Sequence, residues 1–450
     1  MRSRPIAITI SLILTISFAP APSLVSAAWE SPAFLFTTAT QYAPLAWIRG
    51  SERFSGDAAL FVQDAGGTRP FVPTFAESAD PSVSFDGKNV LFAGKQKAND
   101  SWQVWEVPVS GAEPQRVTAC AVDCVRPLYL PDDHIVYAEN VGGRFVIEIL
   151  DRQERKSVQL TWHPGNSLPT DVLHDGRILF ESTYPLGTGS TPEIYTVYSD
   201  GSGMESYRCD HGRSRYEGKQ ATSGDIVFTS GAGLARFTSA ASQELRIPSP
   251  AGEYAGEIAE SPHGDWLVPW RERNHPFELV WWKPGSAAFR PAFSNPDVNV
   301  VEPAVIAERK VPNRHPSGLH DWPNANLLCL NGYTSKYKFG PGTIHFVQFY
   351  THDNDGNVKR LGTAQVERDG SFFVQVPTEQ PLQAELLDGT GKTLKREAGW
   401  FWMRRGEQRV CVGCHAGPEI APENAVPMTL LKSTTPADMT GTIRSSAGGQ

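Results

Sequence analysis

Two thiols and an imidazole, packed into five consecutive positions near the C-terminus, are the side chains of this sequence best equipped for chemistry. Cys411-Val412-Gly413-Cys414-His415 is a C-x-x-C-H pentapeptide, a spacing that suits covalent haem attachment. Each sulfur adds across one porphyrin vinyl group, and the histidine beside the second thioether reaches the iron from one face. With 6 cysteines and 11 histidines in 450 residues, chance would assemble these positions with a frequency on the order of 0.2%. The competing reading is a redox pair or half of a zinc site. No second C-x-x-C and no His-x-x-x-His follows to complete a metal cage. The spacing therefore predicts one covalent haem c, with Cys411 and Cys414 as thioether attachments and His415 as the proximal iron ligand.

The sixth iron position is open on sequence alone. Met428 lies 13 residues after His415, and a thioether ligand there raises the reduction potential relative to a second histidine. His320, His345 and His352 read as surface or turn histidines and Met403 as core, and a vacant or water-bound site is an equal alternative. Trp400, Phe401 and Trp402 read either as aromatic surface for the porphyrin edge or as an amphipathic strand. Arg404, Arg405 and Arg409 read either as propionate partners or as a solvated basic end.

The compartment agrees with haem attachment. Arg2 and Arg4 precede an apolar run over residues 6–18, and Val25-Ser26-Ala27 supplies small residues for cleavage. A run of about 13 apolar residues is short beside the roughly 20 of a bilayer span. Residues 1–27 are thus expected to be a cleaved signal, giving a periplasmic or secreted protein with no membrane association afterwards. Removing Arg2 and Arg4 takes the formal charge from −8 to −10, which offers no basic field for nucleic acid. An oxidising compartment also allows a small disulfide between Cys120 and Cys124. Cys209 and Cys329 are left to pair, to stay as thiols or to bind metal, with Cys209-Asp210-His211 as three potential ligands.

The elements that must position the motif read as all-β. The chain contains 40 Gly, 35 Pro, 22 Phe and 12 Tyr, a composition of short strands joined by tight turns. From Asp80 onward, strand, turn, strand units recur with turn points at Asp132, Asp175, Gly224 and Gly264 and a degenerate last member near Glu302. Spacings of roughly 40 to 50 residues are blade spacing, and a closed ring leaves no sheet face uncovered. The expected architecture is a six-bladed β-propeller over residues 56–312, following a lead-in over 28–55. A seventh blade would need the strand near Ala58 and the last strand. A linker at 313–318 leads to a small β-sandwich over 319–405, then a haem c attachment segment over 406–431 and a disordered tail over 432–450.

The residues around the motif carry a family resemblance. Residues 363–377, 386–389, 400–402, 406–409 and the pentapeptide at 411–415 resemble the hydrazine synthase alpha subunit middle-domain family. The unit over 80–118 resembles the repeats of TolB-like periplasmic proteins. Together these imply a secreted c-type haem protein with a propeller in front of that domain. They do not imply hydrazine synthesis. The alpha subunit carries a further C-terminal haem region, whereas this sequence has one C-x-x-C-H, and no tyrosine follows it to serve as the downstream iron ligand found there.

One haem and no evident acid–base pair are the minimum equipment for electron transfer with a protein redox partner. The alternative is a haem-dependent oxidoreductase acting on a small nitrogen or oxygen species at an open sixth position; a scaffold with a structural haem ranks third. No nucleophile elbow, P-loop, dinucleotide fingerprint or His-Glu-x-x-His helix supports hydrolase or nucleotide chemistry.

Overall fold

The computed structural model describes residues 31–184, 191–208, 212–240, 242–352, 356–413 and 424–441. Their architecture is all-β: the helical elements among them are a single turn at Trp47–Arg49 and the short helix Met428–Lys432. No helix among the described residues is long and apolar enough to cross a membrane.

Central strands of the sheets before residue 306 are buried on both faces because each sheet lies between two others. In Asn89–Lys95 the five central residues are buried. Val90 and Phe92 pack towards Leu35, Leu60 and Val62 of one neighbouring sheet, while Leu91 packs with Cys124, Ile135 and Tyr137 of the other. The result is a β-propeller of antiparallel sheets, all but the closing one running outward in chain order, as in Glu77–Val83, Asn89–Lys95, Gln103–Pro108 and Gln115–Arg116. Six such sheets of four or five strands occur among the described residues before residue 306. Closure comes from the ends of this region: Asn299–Val305 takes the innermost place beside Phe34–Ala39, in register Leu35 with Ala304 and Thr37 with Val301. The expected lead-in therefore supplies a propeller strand. The strand near Ala58 and the last strand, considered above for a seventh blade, lie in this same sheet.

The innermost strands share a device. Asp80, Arg126, Glu217 and Glu302 adopt φ between 53° and 57°, each at a register shift with the adjoining strand. A bulge re-aims the side chain of the extra residue, here towards a shared buried cluster. Left-handed backbone at a non-glycine residue costs roughly 1–2 kcal/mol, so four such residues need compensation. Arg126 Nη1 donates to Glu217 at 3.1 Å and to Glu257 at 3.1 Å. Its backbone N–H donates to Asp80 at 3.0 Å. Arg53 reaches in from the segment between the first two strands and meets Glu217 at 3.0 Å and Glu302 at 3.2 Å. The Asp80 N–H and the Thr37 hydroxyl donate to Glu302 at 2.9 and 2.7 Å.

Acids outnumber bases in this cluster, and the excess is visible in their protonation. Burial, reinforced by Glu302, holds Asp80 well above the usual carboxylate range. Burial and the neighbouring Glu217 push Glu181 up to about 8. Glu217 stays low despite burial, because Arg126 and Arg53 face it.

The C-terminal domain is a sandwich of two sheets. One is ordered Gln408–Cys411, Ala325–Cys329, Phe372–Val376, Ala437–Asp438; the other Val358–Gln365, Phe346–His352, Gln383–Leu387, Thr393–Arg396. Leu327, Val347, Phe349, Val374, Leu386 and Met403 fill the space between them. Two sequence expectations are corrected here. Gln408–Cys411 is an edge strand of the sandwich rather than part of a separate segment after it. Ala437–Asp438, expected within a disordered tail, pairs with Phe372–Val376, where the Met439 N–H donates to Gln375 at 2.8 Å and its side chain is buried.

Trp402 joins the two domains. Its ring is fully buried among Phe180, Tyr195 and Val197 of the propeller, and Nε1 donates to the Gly201 carbonyl at 3.1 Å. Arg404 lies over Trp162 at 4.8 Å and bonds Glu379 at 3.0 Å. Gly201 has a φ of 82°, and a Cβ there would stand 2.8 Å from the Arg404 side chain.

Two outcomes are expected. Trp402→Ala should cost about 3–5 kcal/mol and split a single thermal transition into two; one unshifted transition would contradict this docking role. For Glu181, a pKa raised on folding means that its contribution to stability is lost as pH rises from about 4.5 through about 8. Glu181→Gln should therefore gain stability over the parent across that window, by at most about 1.4 kcal/mol per pH unit. Denaturant titrations at several pH values giving a constant difference would refute it.

Candidate haem attachment site

The motif begins at the end of an edge strand. Gln408–Cys411 runs parallel to Ala325–Cys329, pairing Asn326 with Gln408 and Cys329 with Cys411. The Leu330 N–H continues the ladder to the Cys411 carbonyl at 2.9 Å. Alternation along the strand turns Arg409 and Cys411 inward and leaves Val410 58% exposed. Cys411 packs against the sandwich core, next to the buried Cys329, and neither is in a disulfide.

The two thiols are in hydrogen-bond contact, and this contact is the largest influence on Cys411. It draws the thiol down to about 7, against burial and with help from a backbone bond at Gly413 and from Arg409. A thiol so poised is substantially thiolate at neutral pH, the form in which sulfur is nucleophilic. Gly413 lies flat on the loop that follows Cys329. A Cβ there would stand 2.2 Å from the Thr334 carbonyl oxygen and 2.9 Å from that of Asn331, so the motif's second variable position has no room for a side chain.

Cys414 and His415 lie outside the described residues, as do Cys209-Asp210-His211 and the expected signal at 1–27. What is described fits haem c in its chemistry. Cys411 keeps a nucleophilic thiol at the strand end, and Val410 and Val412, 58% and 44% exposed, give apolar surface beside it. Met428 opens the helix Met428–Lys432, half-buried. Its N–H donates to Asp369 at 2.8 Å, and the Thr429 N–H donates to Ser371 at 3.0 Å. The turn that receives them leads into Phe372, the register partner of Cys329. Met428 and Cys411 are thus at the same end of one sheet.

Other residues considered in the sequence are committed elsewhere. Trp402 and Arg404 serve domain docking, Arg405 faces Asp321 at 3.9 Å, and Arg409 pairs with Glu407 at 2.7 Å. His352 packs against Trp400 at 4.3 Å and His320 against Trp322 at 5.1 Å. Met403 is fully buried in the sandwich core. Cys120 and Cys124 form a disulfide across a Cα separation of 6.5 Å.

Residues 340–416 match the family model of the hydrazine synthase alpha subunit middle domain. The hydrazine synthase subunit alpha of Kuenenia stuttgartiensis is 19% identical over 497 residues, covering 76% of this chain and 60% of that protein. This chain is similar to the hydrazine synthase alpha subunit. It spans about 60% of the relative's length. The solved Kuenenia stuttgartiensis hydrazine synthase superposes with a TM-score of 0.76 at 16% identity, over 89% of this chain and 71% of that one, and so shares its fold. TolB from Acinetobacter baumannii matches 61% of this chain and 67% of its own at 16% identity, with a TM-score of 0.46.

Cys329 is the site residue that sequence reasoning placed least well. Its partner is 82 positions away, and a parallel register between two short strands leaves no local signature. The contact has a measurable consequence. In the reduced, haem-free chain, alkylation of Cys411 by iodoacetamide should reach half its limiting rate near pH 7. In Cys329→Ala the midpoint should move towards the ordinary thiol value of about 8.5. Identical pH profiles would show that Cys329 does not govern this thiol.

Proposed function

We propose that this chain is a periplasmic, monohaem c-type protein that exchanges electrons with a protein partner. The observation that carries the reading is the position of the pentapeptide: all five residues fall within the segment matched by the hydrazine synthase alpha middle-domain model. The first cysteine sits as a low-pKa thiol at the exposed end of an edge strand. In this reading Cys411 and Cys414 hold the porphyrin, His415 binds iron from one side, and the six propeller sheets are six blades of a closed ring.

Haem bound there supplies a one-electron ferric–ferrous couple. The chain's own residues do the rest. Gly413 lets the motif lie against the 331–334 loop, Val410 and Val412 exclude water from one side, and the parallel ladder fixes the first attachment point. Met428 is the sixth ligand in this account, supported by the anchoring of its helix to Asp369 and Ser371 at the Cys411 end of the sheet.

The relationship to hydrazine synthase favours one second reading. An unfilled sixth position would make the protein an oxidoreductase acting on a small nitrogen or oxygen species, related to hydrazine synthase but distinct from it.

Visible spectra of the oxidised and reduced holoprotein separate the two. Electron transfer with Met428 ligation predicts a low-spin, six-coordinate ferric form that Met428→Ala converts to high spin with a lower reduction potential. A high-spin parent that binds cyanide or nitric oxide readily would overturn it in favour of the oxidoreductase.

A further inference from the structure

The thiol beside Cys411 has no part in haem attachment as a C-x-x-C-H motif performs it, yet it is in hydrogen-bond contact with the reacting sulfur. Cys329 and Cys411 are register partners on adjacent strands, so their side chains leave the sheet on the same face. Neighbouring strands lie roughly 4.8 Å apart, within the Cα separations of roughly 4.4–6.8 Å that a disulfide bridges. Both sulfurs lie in the sandwich and contact one another. They differ in access: Cys329 is 1% exposed, whereas Cys411 is only half-buried at the strand end.

We propose that Cys329 and Cys411 close into a disulfide in the haem-free chain, and that this bond gates haem attachment. The co-reactant is a disulfide, either small, such as glutathione disulfide, or carried by a thiol oxidoreductase. The Cys411 thiolate, the less buried of the two, attacks one sulfur of that disulfide, breaking its S–S bond, releasing one thiolate and leaving a mixed disulfide on Cys411. Cys329 loses its proton and attacks the Cys411 sulfur, forming the internal S–S bond and expelling the second thiolate. In sum, two protein thiols and one disulfide give one protein disulfide and two thiols. The division of labour follows burial, with the accessible thiol engaging the oxidant and the enclosed one resolving.

The consequence rests on the proposed haem attachment. A thioether at Cys411 uses the same sulfur, so disulfide and haem are mutually exclusive, and attachment requires a thiol reductant to open the bond. Cys329 is returned to a thiol beneath the thioether. The helix and strand that follow the motif are held by Asp369, Ser371 and Gln375, so opening the bond leaves the sandwich in place.

The test uses the full chain produced without haem-ligation machinery, treated with glutathione disulfide or with a phosphine reductant, then alkylated and digested without reduction. The expected result is a peptide joining Cys329 to Cys411 in the oxidised sample and its absence in the reduced one. Free Cys329 and Cys411 after oxidation, or a Cys411–Cys414 bond in its place, would overturn the proposal. The gating part is read in a host with haem-ligation machinery by comparing the parent with Cys329→Ser and Cys329→Ala at limiting thiol reductant. Several-fold more haem per chain in either soluble variant is expected; an unchanged ratio in both overturns gating. Failure of the parent to take haem at any reductant level would refute the haem reading itself, while the peptide map still decides whether the disulfide exists.

Discussion

The parallel pairing of Gln408–Cys411 with Ala325–Cys329 is the constraint on which the site depends. It fixes the place of the motif's first cysteine. Hydrogen bonds of the ladder fix where Cys411 emerges, and alternation fixes the face on which its sulfur lies. The same register brings a second thiol against the first, which sets the reactivity of Cys411. An edge strand suits this task, since one side is held by the sheet and the other remains open to whatever the motif binds.

Behind that strand stands a support of a different kind. Trp402 and Arg404, a few residues before the motif, are anchored in the propeller rather than at the site. The propeller in turn closes around a buried charge cluster built on bulges that place Asp80, Arg126, Glu217 and Glu302 at left-handed backbone angles. Buried ion pairs are weak sources of net stability, because desolvation offsets most of the attraction. Their value here is specificity: the partners of the network come from different sheets and meet only when neighbouring sheets are in place. The raised pKa of Glu181 and Asp80 shows the network retaining protons where acids exceed bases.

Local signals made much of this legible in sequence. Turns near Asp132, Asp175, Gly224 and Gly264 marked propeller hairpins, because hairpins are set by residues close together in the chain. The sandwich was recognisable from residues 363–376 for the same reason, and the 120–124 spacing already suggested a disulfide. What escaped was every feature made by residues far apart. The Phe34–Ala39 strand completes its sheet with Asn299–Val305, and neither segment alone signals that closure. Trp402 read as a candidate porphyrin contact because aromatic residues beside a haem motif and those docking two domains look alike in one dimension. The pairing of Cys329 with Cys411 and the return of Ala437–Asp438 to the sheet depend on register, which local composition does not encode.

In the function proposed for this chain, a porphyrin is bonded through sulfur to Cys411 and Cys414. Intact-mass measurement of the chain matured in a host with haem-ligation machinery tests it most directly. The account predicts one added haem per chain under denaturing conditions, absent from the Cys411→Ala, Cys414→Ala double variant. A bare polypeptide mass for the parent, in a host that loads a control cytochrome, would contradict it.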